Sequence, residues 1–141
     1  FITYFFQKMI NQAIIKLASN TQNSGLENKY SHKMSLKNSI CGDKITIEIL
    51  ANNKKIISMK YETESCIYCE ASASLLSRKI KNFNLKDLKY DFLKLKKVSR
   101  QKNIIIPKKY SDFKKLLNSD NFNRFKCIFL PFDAVIKALK L

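Results

Sequence analysis

The chain has 141 residues, fits one domain and carries 45% hydrophobic residues, enough to bury a core. Lys and Arg number 27 against 11 Asp and Glu, a formal net charge of +16. No stretch is long and apolar enough to span a bilayer, and Phe1 to Phe6 lacks the charged flank and small-residue cleavage site of a signal peptide. These features point away from a membrane or secreted protein. The expectation is a soluble, cytoplasmic one with no membrane partner. The chain opens on Phe1, while Met9 begins a clean helical pattern. Residues 1–8 are therefore expected to be an upstream extension or a disordered start, and residues 9–141 a single domain.

A charge of this size suggests nucleic acid or another acidic partner. Its distribution argues otherwise. The lysines are scattered among Ile and Asn, and no aromatic-plus-basic motif such as an RRM signature is present. No specific nucleic-acid function is expected. A solvated surface, or docking to an acidic protein, fits the pattern better.

Met9 to Ser19 reads as an amphipathic helix, with Ile10, Ala13, Ile14 and Leu17 at i, i+3, i+4, i+7. Asn20 to Glu27 is a polar loop containing Gly25, and a short strand falls within Lys29 to Lys37. Ser39 to Asp43 is a turn. Lys44 to Leu50 alternates as a strand with Ile45, Ile47 and Ile49 on one face. Asn52-Asn53 is the expected hairpin turn, because Asn tolerates positive φ, and Ile56 to Tyr61 returns as a second strand. The pattern then switches to helix, with Cys69, Ala73, Leu76 and Ile80 as one apolar stripe. Asn84 and Asp87 resemble a capping pair for a helix with Leu85, Leu88, Phe92 and Leu95 inward. A further helix is predicted over Tyr110 to Leu117, and Phe132, Val135, Ile136 and Leu139 place the last one. The class is α+β: an antiparallel sheet of about three strands with helices packed on it.

The four cysteines carry the chemistry. With no secretion signal, metal binding or thiol chemistry is a better expectation than disulfides. Cys41, Asp43, Cys66 and Cys127 come from three separated segments, and three thiolates with one carboxylate can close a four-coordinate site for a thiophilic metal. The harder carboxylate makes such a site less locked than four cysteines, which suits ligand exchange. Cys41 and Asp43 should point the same way by strand alternation. Cys66 precedes a helix start, where the dipole favours a thiolate. Arg124 and Lys126 should support the site by lowering the Cys127 pKa. Taken singly, Cys41, Cys66 and Cys127 read as well as small core hydrophobes, and Asp43 as a turn residue. Cys66-x-x-Cys69 has the spacing of a redox pair, but the helical stripe packs Cys69 inward. His32 stands alone in a polar stretch and offers no hydrolase arrangement.

At these residues the chain resembles the NifU N-terminal/IscU/SufU family of iron–sulfur assembly proteins. The family's Asn-Pro-x-Cys-Gly-Asp motif reads here Asn38-Ser39-Ile40-Cys41-Gly42-Asp43. Its Gly-Cys followed by a Gln-Ala-Ser-Ala-Ser run reads Ser65-Cys66-Ile67-Tyr68-Cys69-Glu70-Ala71-Ser72-Ala73-Ser74. Its final Cys before a short apolar segment and a last helix reads Arg124-Phe125-Lys126-Cys127. Lys126, where IscU-type proteins carry His, and the extra helical sequence from Lys81 to Asn121 resemble the SufU-like branch. Departures are Ser39 for Pro, Ser65 for Gly, Glu70 for Gln, and Cys69 where many members have Ser.

The resemblance implies a SufU/IscU-like fold and a site at Cys41, Asp43, Cys66 and Cys127 that binds zinc or iron, or holds a transient [2Fe–2S] cluster. It implies Cys41 as persulfide acceptor from a SufS-type cysteine desulfurase, with iron–sulfur client or carrier proteins downstream. The chain would then be a scaffold or a zinc-dependent sulfurtransferase. The alternative reading of the same residues is a zinc-stabilised basic binding module, for nucleic acid or protein, without sulfur transfer.

Overall fold

The computed structural model describes residues 12–141. Helix α1 occupies residues 12–19 of that range and buries Ile14. The predicted start of this helix at Met9, including Ile10, and the boundary expected after residue 8 lie outside the described residues.

Three strands follow: β1 (His32–Lys37), β2 (Lys44–Ala51) and β3 (Ile56–Glu64). They form one antiparallel sheet in the order β1-β2-β3. The alternation expected of β2 sets its inner face. Ile45, Ile47 and Ile49 are fully buried, and Ile47 and Ile49 stand opposite Tyr61 and Met59 of β3. Each buried Ile contributes on the order of 2 kcal/mol by leaving water.

The β2–β3 turn differs from the expected positive-φ Asn pair. Neither Asn52 nor Asn53 has positive φ. The Asn52 side chain instead accepts the N–H groups of Lys54 and Lys55 at 2.8 and 2.9 Å, standing in for a turn carbonyl. A bulge between Leu50 and Ala51 absorbs the longer loop. The polar loop after α1 is also more ordered than its composition suggests. Gly25, with φ +101°, lets the chain turn along the free edge of β3, where the Tyr61 carbonyl and amide bond to Gly25 and Asn23.

Helix α2 (Ile67–Lys79) lies at the centre. The expected stripe of Cys69, Ala73, Leu76 and Ile80 is buried, but so are Ala71, Ser72, Ser74 and Ser77. The Ala-Ser-Ala-Ser run therefore packs on several sides, and each buried hydroxyl finds a carbonyl. Ser72 donates to Ile128, Ser74 to Asn20, and Ser77 to Ser74. Small side chains allow the close approach, and the Ser72 and Ser74 hydroxyls fasten α2 to its neighbours.

Beyond α2 the chain is less regular than its periodicity suggests. Helix α3 (Leu88–Ser99) begins only after a 3-10 turn at Leu85–Asp87, so Asn84 caps that turn through the Lys86 N–H rather than α3 itself. The predicted helix over Tyr110 to Leu117 is a 3-10 stretch, Lys108–Lys115, interrupted at Tyr110. The Tyr110 hydroxyl donates to the buried carboxylate of Asp91, and its ring packs on Phe83 at 4.6 Å. Tertiary anchoring of one side chain thus overrides helical continuity. Phe92 and Phe113 both meet Phe132 edge-on, tying these segments to the last helix.

Helix α4 (Phe125–Ala138) starts earlier than Phe132 implies, because Phe125, Ile128, Phe129 and Phe132 bury one face at i, i+3, i+4, i+7. Cys127 therefore lies within the first turn of α4, not ahead of it. The fold is α+β, a three-stranded antiparallel sheet covered by α2 and α4, as expected. Among the described residues no helix is long and apolar enough to cross a membrane.

Candidate metal centre

Residues 38–43 join β1 to β2 and form one wall of the site. Asn38 organises them. Its carbonyl accepts the Gly42 N–H at 2.8 Å, its side chain accepts the Ile40 N–H at 3.0 Å, and its own N–H donates to the Asp43 carbonyl at 2.7 Å. Gly42 closes the loop at φ +76°, a left-handed conformation that side chains disfavour. Cys41 and Asp43 thus converge through a folded turn, not through the strand alternation expected of them. Asn38 is the residue whose role sequence reading missed; the signal is an Asn at the head of a turn, whose side chain can bond the backbone two residues on.

The loop presents its two donors differently. Cys41 is exposed, whereas Asp43 is 5% exposed. Cys127, delivered by the first turn of α4, is 3% exposed, and its thiol lies 3.6 Å from that of Cys41. Donor atoms of Cys41, Asp43 and Cys127 all lie within 4.8 Å of one another, close enough to share one ion.

Cys66 stands at the rim of this group as the N-cap of α2. Its thiol donates to Asp43 Oδ2 at 3.2 Å and its N–H to Oδ1 at 3.0 Å. The Cys66 side chain makes no capping bond, so it faces the carboxylate rather than the orphan amides of the helix. Three of the four expected donors form the tight group, and the fourth is hydrogen-bonded to it.

The electrostatics follow from burial and these bonds. Burial opposes ionisation of Asp43. Hydrogen bonds from the Cys66 thiol and amide, and from the Cys127 and Cys41 thiols, outweigh it and hold the carboxyl below its ordinary value of 3.8. Burial pushes the Cys127 thiol up, and its bonds to Asp43, Cys41 and Cys66 add to the effect. This reverses the lowering expected from Arg124 and Lys126. Both are exposed, and the Arg124 guanidinium lies over the Tyr68 ring at 5.5 Å. Cys69 is fully buried, and burial pushes its thiol up to about 12. His32 is on β1 beside Ser31 Oγ and takes no part. Ser65, standing where the resemblance expects Gly, does not have positive φ, so the backbone leading to Cys66 is unstrained by the replacement.

Soft thiols and one ionised carboxylate within a few ångströms suit a thiophilic metal ion, and one exposed donor leaves the site approachable.

Comparison with known proteins gives a consistent result. The profile of the NifU-like N terminal domain family matches residues 9–120. The iron–sulfur cluster assembly scaffold protein IscU of Thermotoga maritima is 28% identical over 142 residues, covering 96% of this chain and 95% of that protein. Among crystal structures, the N-terminal NifU-like protein from Brucella abortus superposes with a TM-score of 0.78 at 19% identity, over 90% of this chain and 89% of that one. A protein described as an iron–sulfur cluster assembly scaffold for the SUF system (FiSufU), from Fervidobacterium islandicum AW-1, gives 0.77 at 22% identity, over 89% and 93%. These two structures speak to the fold.

Proposed function

The chain belongs to the family of NifU-like N-terminal domains, the iron–sulfur cluster assembly proteins related to IscU and SufU, and from that premise we propose that it accepts persulfide sulfur from a SufS-type cysteine desulfurase and scaffolds a nascent cluster. The reading places both tasks at Cys41, Asp43, Cys66 and Cys127. The observation that carries it is the 3.6 Å approach of the exposed Cys41 thiol to the buried Cys127 thiol beside Asp43.

The division of labour follows from exposure. Cys41 is the thiol an incoming protein can reach, so it is the acceptor. Its thiolate attacks the terminal sulfur of the desulfurase persulfide. The bond between the two desulfurase sulfurs breaks, a new sulfur–sulfur bond forms on Cys41, and the desulfurase cysteine leaves as a thiolate. Zinc bound at these residues would keep the thiols deprotonated at neutral pH. Asp43, ionised and fixed by the Cys66 amide, holds the loop beside Cys127 and is the donor most readily exchanged for a softer ligand. Cys127 and Cys66 stay in place and retain the cargo for client or carrier proteins. Lys126, with the long folded interval between Cys66 and Cys127, supports a place in the SufU-like branch.

Anaerobic incubation with a SufS-type desulfurase and L-cysteine tests the acceptor. Mass spectrometry of the peptide bearing Cys41 should show one added sulfur in the parent chain and none in Cys41→Ala, whose exposed position leaves the circular dichroism spectrum unchanged. Undiminished uptake by that variant refutes the assignment. Metal analysis after anaerobic purification, followed by addition of iron and sulfide, separates the cargoes. Tight colourless zinc favours sulfur transfer, and visible absorption favours cluster scaffolding.

A further inference from the structure

A groove of about 900 Å³ opens beside the site, bounded by the end of β1 and the Cys41 loop, by α3 and by α4. Its charge is one-sided. Lys37, Lys89, Lys96, Arg100, Lys126 and Lys137 line it, with Asp133 as the sole acid, and Asp133 is paired with Lys96. Among the described residues the other five cations make no ion pair. Residues 1–11 contain no Asp or Glu that could supply one.

The groove is also apolar where a solvated surface would not be. Ile40, Leu93 and Phe122 are 73%, 56% and 59% exposed, and they lie among the cations. Exposed apolar side chains ringed by charge mark a protein-binding surface. A nucleic-acid backbone would satisfy the cations but leave the aliphatic Ile40 and Leu93 without partners. Ile40 and Lys126 are the chain neighbours of Cys41 and Cys127, so an occupant of the groove lies next to the one exposed thiol of the site.

We propose that this groove docks an acidic segment of the sulfur-donating protein, with apolar side chains seated on Leu93, Phe122 and Ile40 and carboxylates facing Lys89, Arg100 and Lys137. The proposal rests on the reading of Cys41 as a sulfur acceptor. The occupant is the donor because the groove leads to the thiol that must be reached from outside. The cations speed and orient encounter, and the apolar centre holds the complex.

The test uses the full chain, a fluorescently labelled SufS-type desulfurase, glutathione persulfide as a small sulfur donor, and a single-stranded DNA oligonucleotide. Two variants, Lys89→Glu/Arg100→Glu and Leu93→Ser, change exposed side chains away from the thiols. Desulfurase binding should weaken about tenfold in the charge reversal and by a smaller factor in Leu93→Ser, and should fall with added salt. Sulfur acceptance from glutathione persulfide should match the parent chain. Unchanged desulfurase binding in both variants overturns the proposal. So does a parent chain that binds the oligonucleotide more tightly than the desulfurase and loses only that binding on charge reversal. If the parent chain takes sulfur from neither donor yet binds the desulfurase through these residues, the docking surface stands and the sulfur-acceptor reading falls.

Discussion

Two buried carboxylates stand close together in sequence, Glu48 on strand β2 and Asp43 just ahead of it, and they have opposite fates. Glu48, 1% exposed, accepts the N–H groups of Glu27 and Asn28 at 2.8 and 3.0 Å, and Lys33 lies 3.6 Å from its other oxygen. Asp43, 5% exposed and just ahead of the strand, accepts one backbone N–H and is otherwise ringed by thiols. Burial alone does not separate the two. The donors do: backbone amides cannot be given up without unfolding a loop, whereas thiol protons can be displaced by a metal. A buried acid among exchangeable donors is equipped for chemistry, and one among fixed donors is part of the frame.

Substitution at each carboxylate tests this contrast. Asp43→Ala should weaken metal binding by at least about 100-fold, since even partners outside the ligand set cost 10- to 100-fold. The metal-free protein should lose only about 1 kcal/mol, the value of the freed Cys66 amide. Competition against a chelator and urea unfolding read the two effects. Glu48→Ala should do the reverse, costing about 2 kcal/mol in urea with metal content unchanged, because two amides lose their acceptor. A Glu48 variant that unfolds no more easily but loses its metal would break the comparison.

Acid sharpens it. Asp43 titrates below 3.8, so its contribution to the metal-free fold is full above that pH and fades as pH falls through the lowered value. At the other end, the raised thiol of Cys69 must stay protonated in the fold. Stability of the metal-free protein should therefore decline from about pH 9 upward, as the unfolded thiol ionises and the folded one does not until about 12. Thermal melts across pH follow both limbs. The smallest effect belongs to Ser65→Gly. With no positive φ to relieve, restoring the glycine should bring no gain and a loss of about 0.5 kcal/mol from added freedom in the unfolded chain.

What was legible in the residues is what repeats regularly. Ile45, Ile47 and Ile49 announce β2 through period two, and Cys69 with Ala73, Leu76 and Ile80 announces the inner face of α2. The three cysteine motifs mark which segments matter. What was not legible depends on distant partners. Tyr110 interrupts a helical pattern because Asp91 claims its hydroxyl. Cys127 belongs to α4 because Phe125 and Phe129 find the aromatic cluster, and Pro131 hides that continuity. The raised thiol of Cys127 reflects burial that no neighbouring Lys or Arg in the chain reveals.

Pro131 has one more effect. It sits inside α4 and has no N–H to give the carbonyl four residues back, which is that of Cys127. The turn that carries this thiol therefore lacks one rung of the helical ladder. The anchorage of this thiol accordingly leans on side-chain packing, through the buried Phe125, Ile128 and Phe129 beside it in the helix.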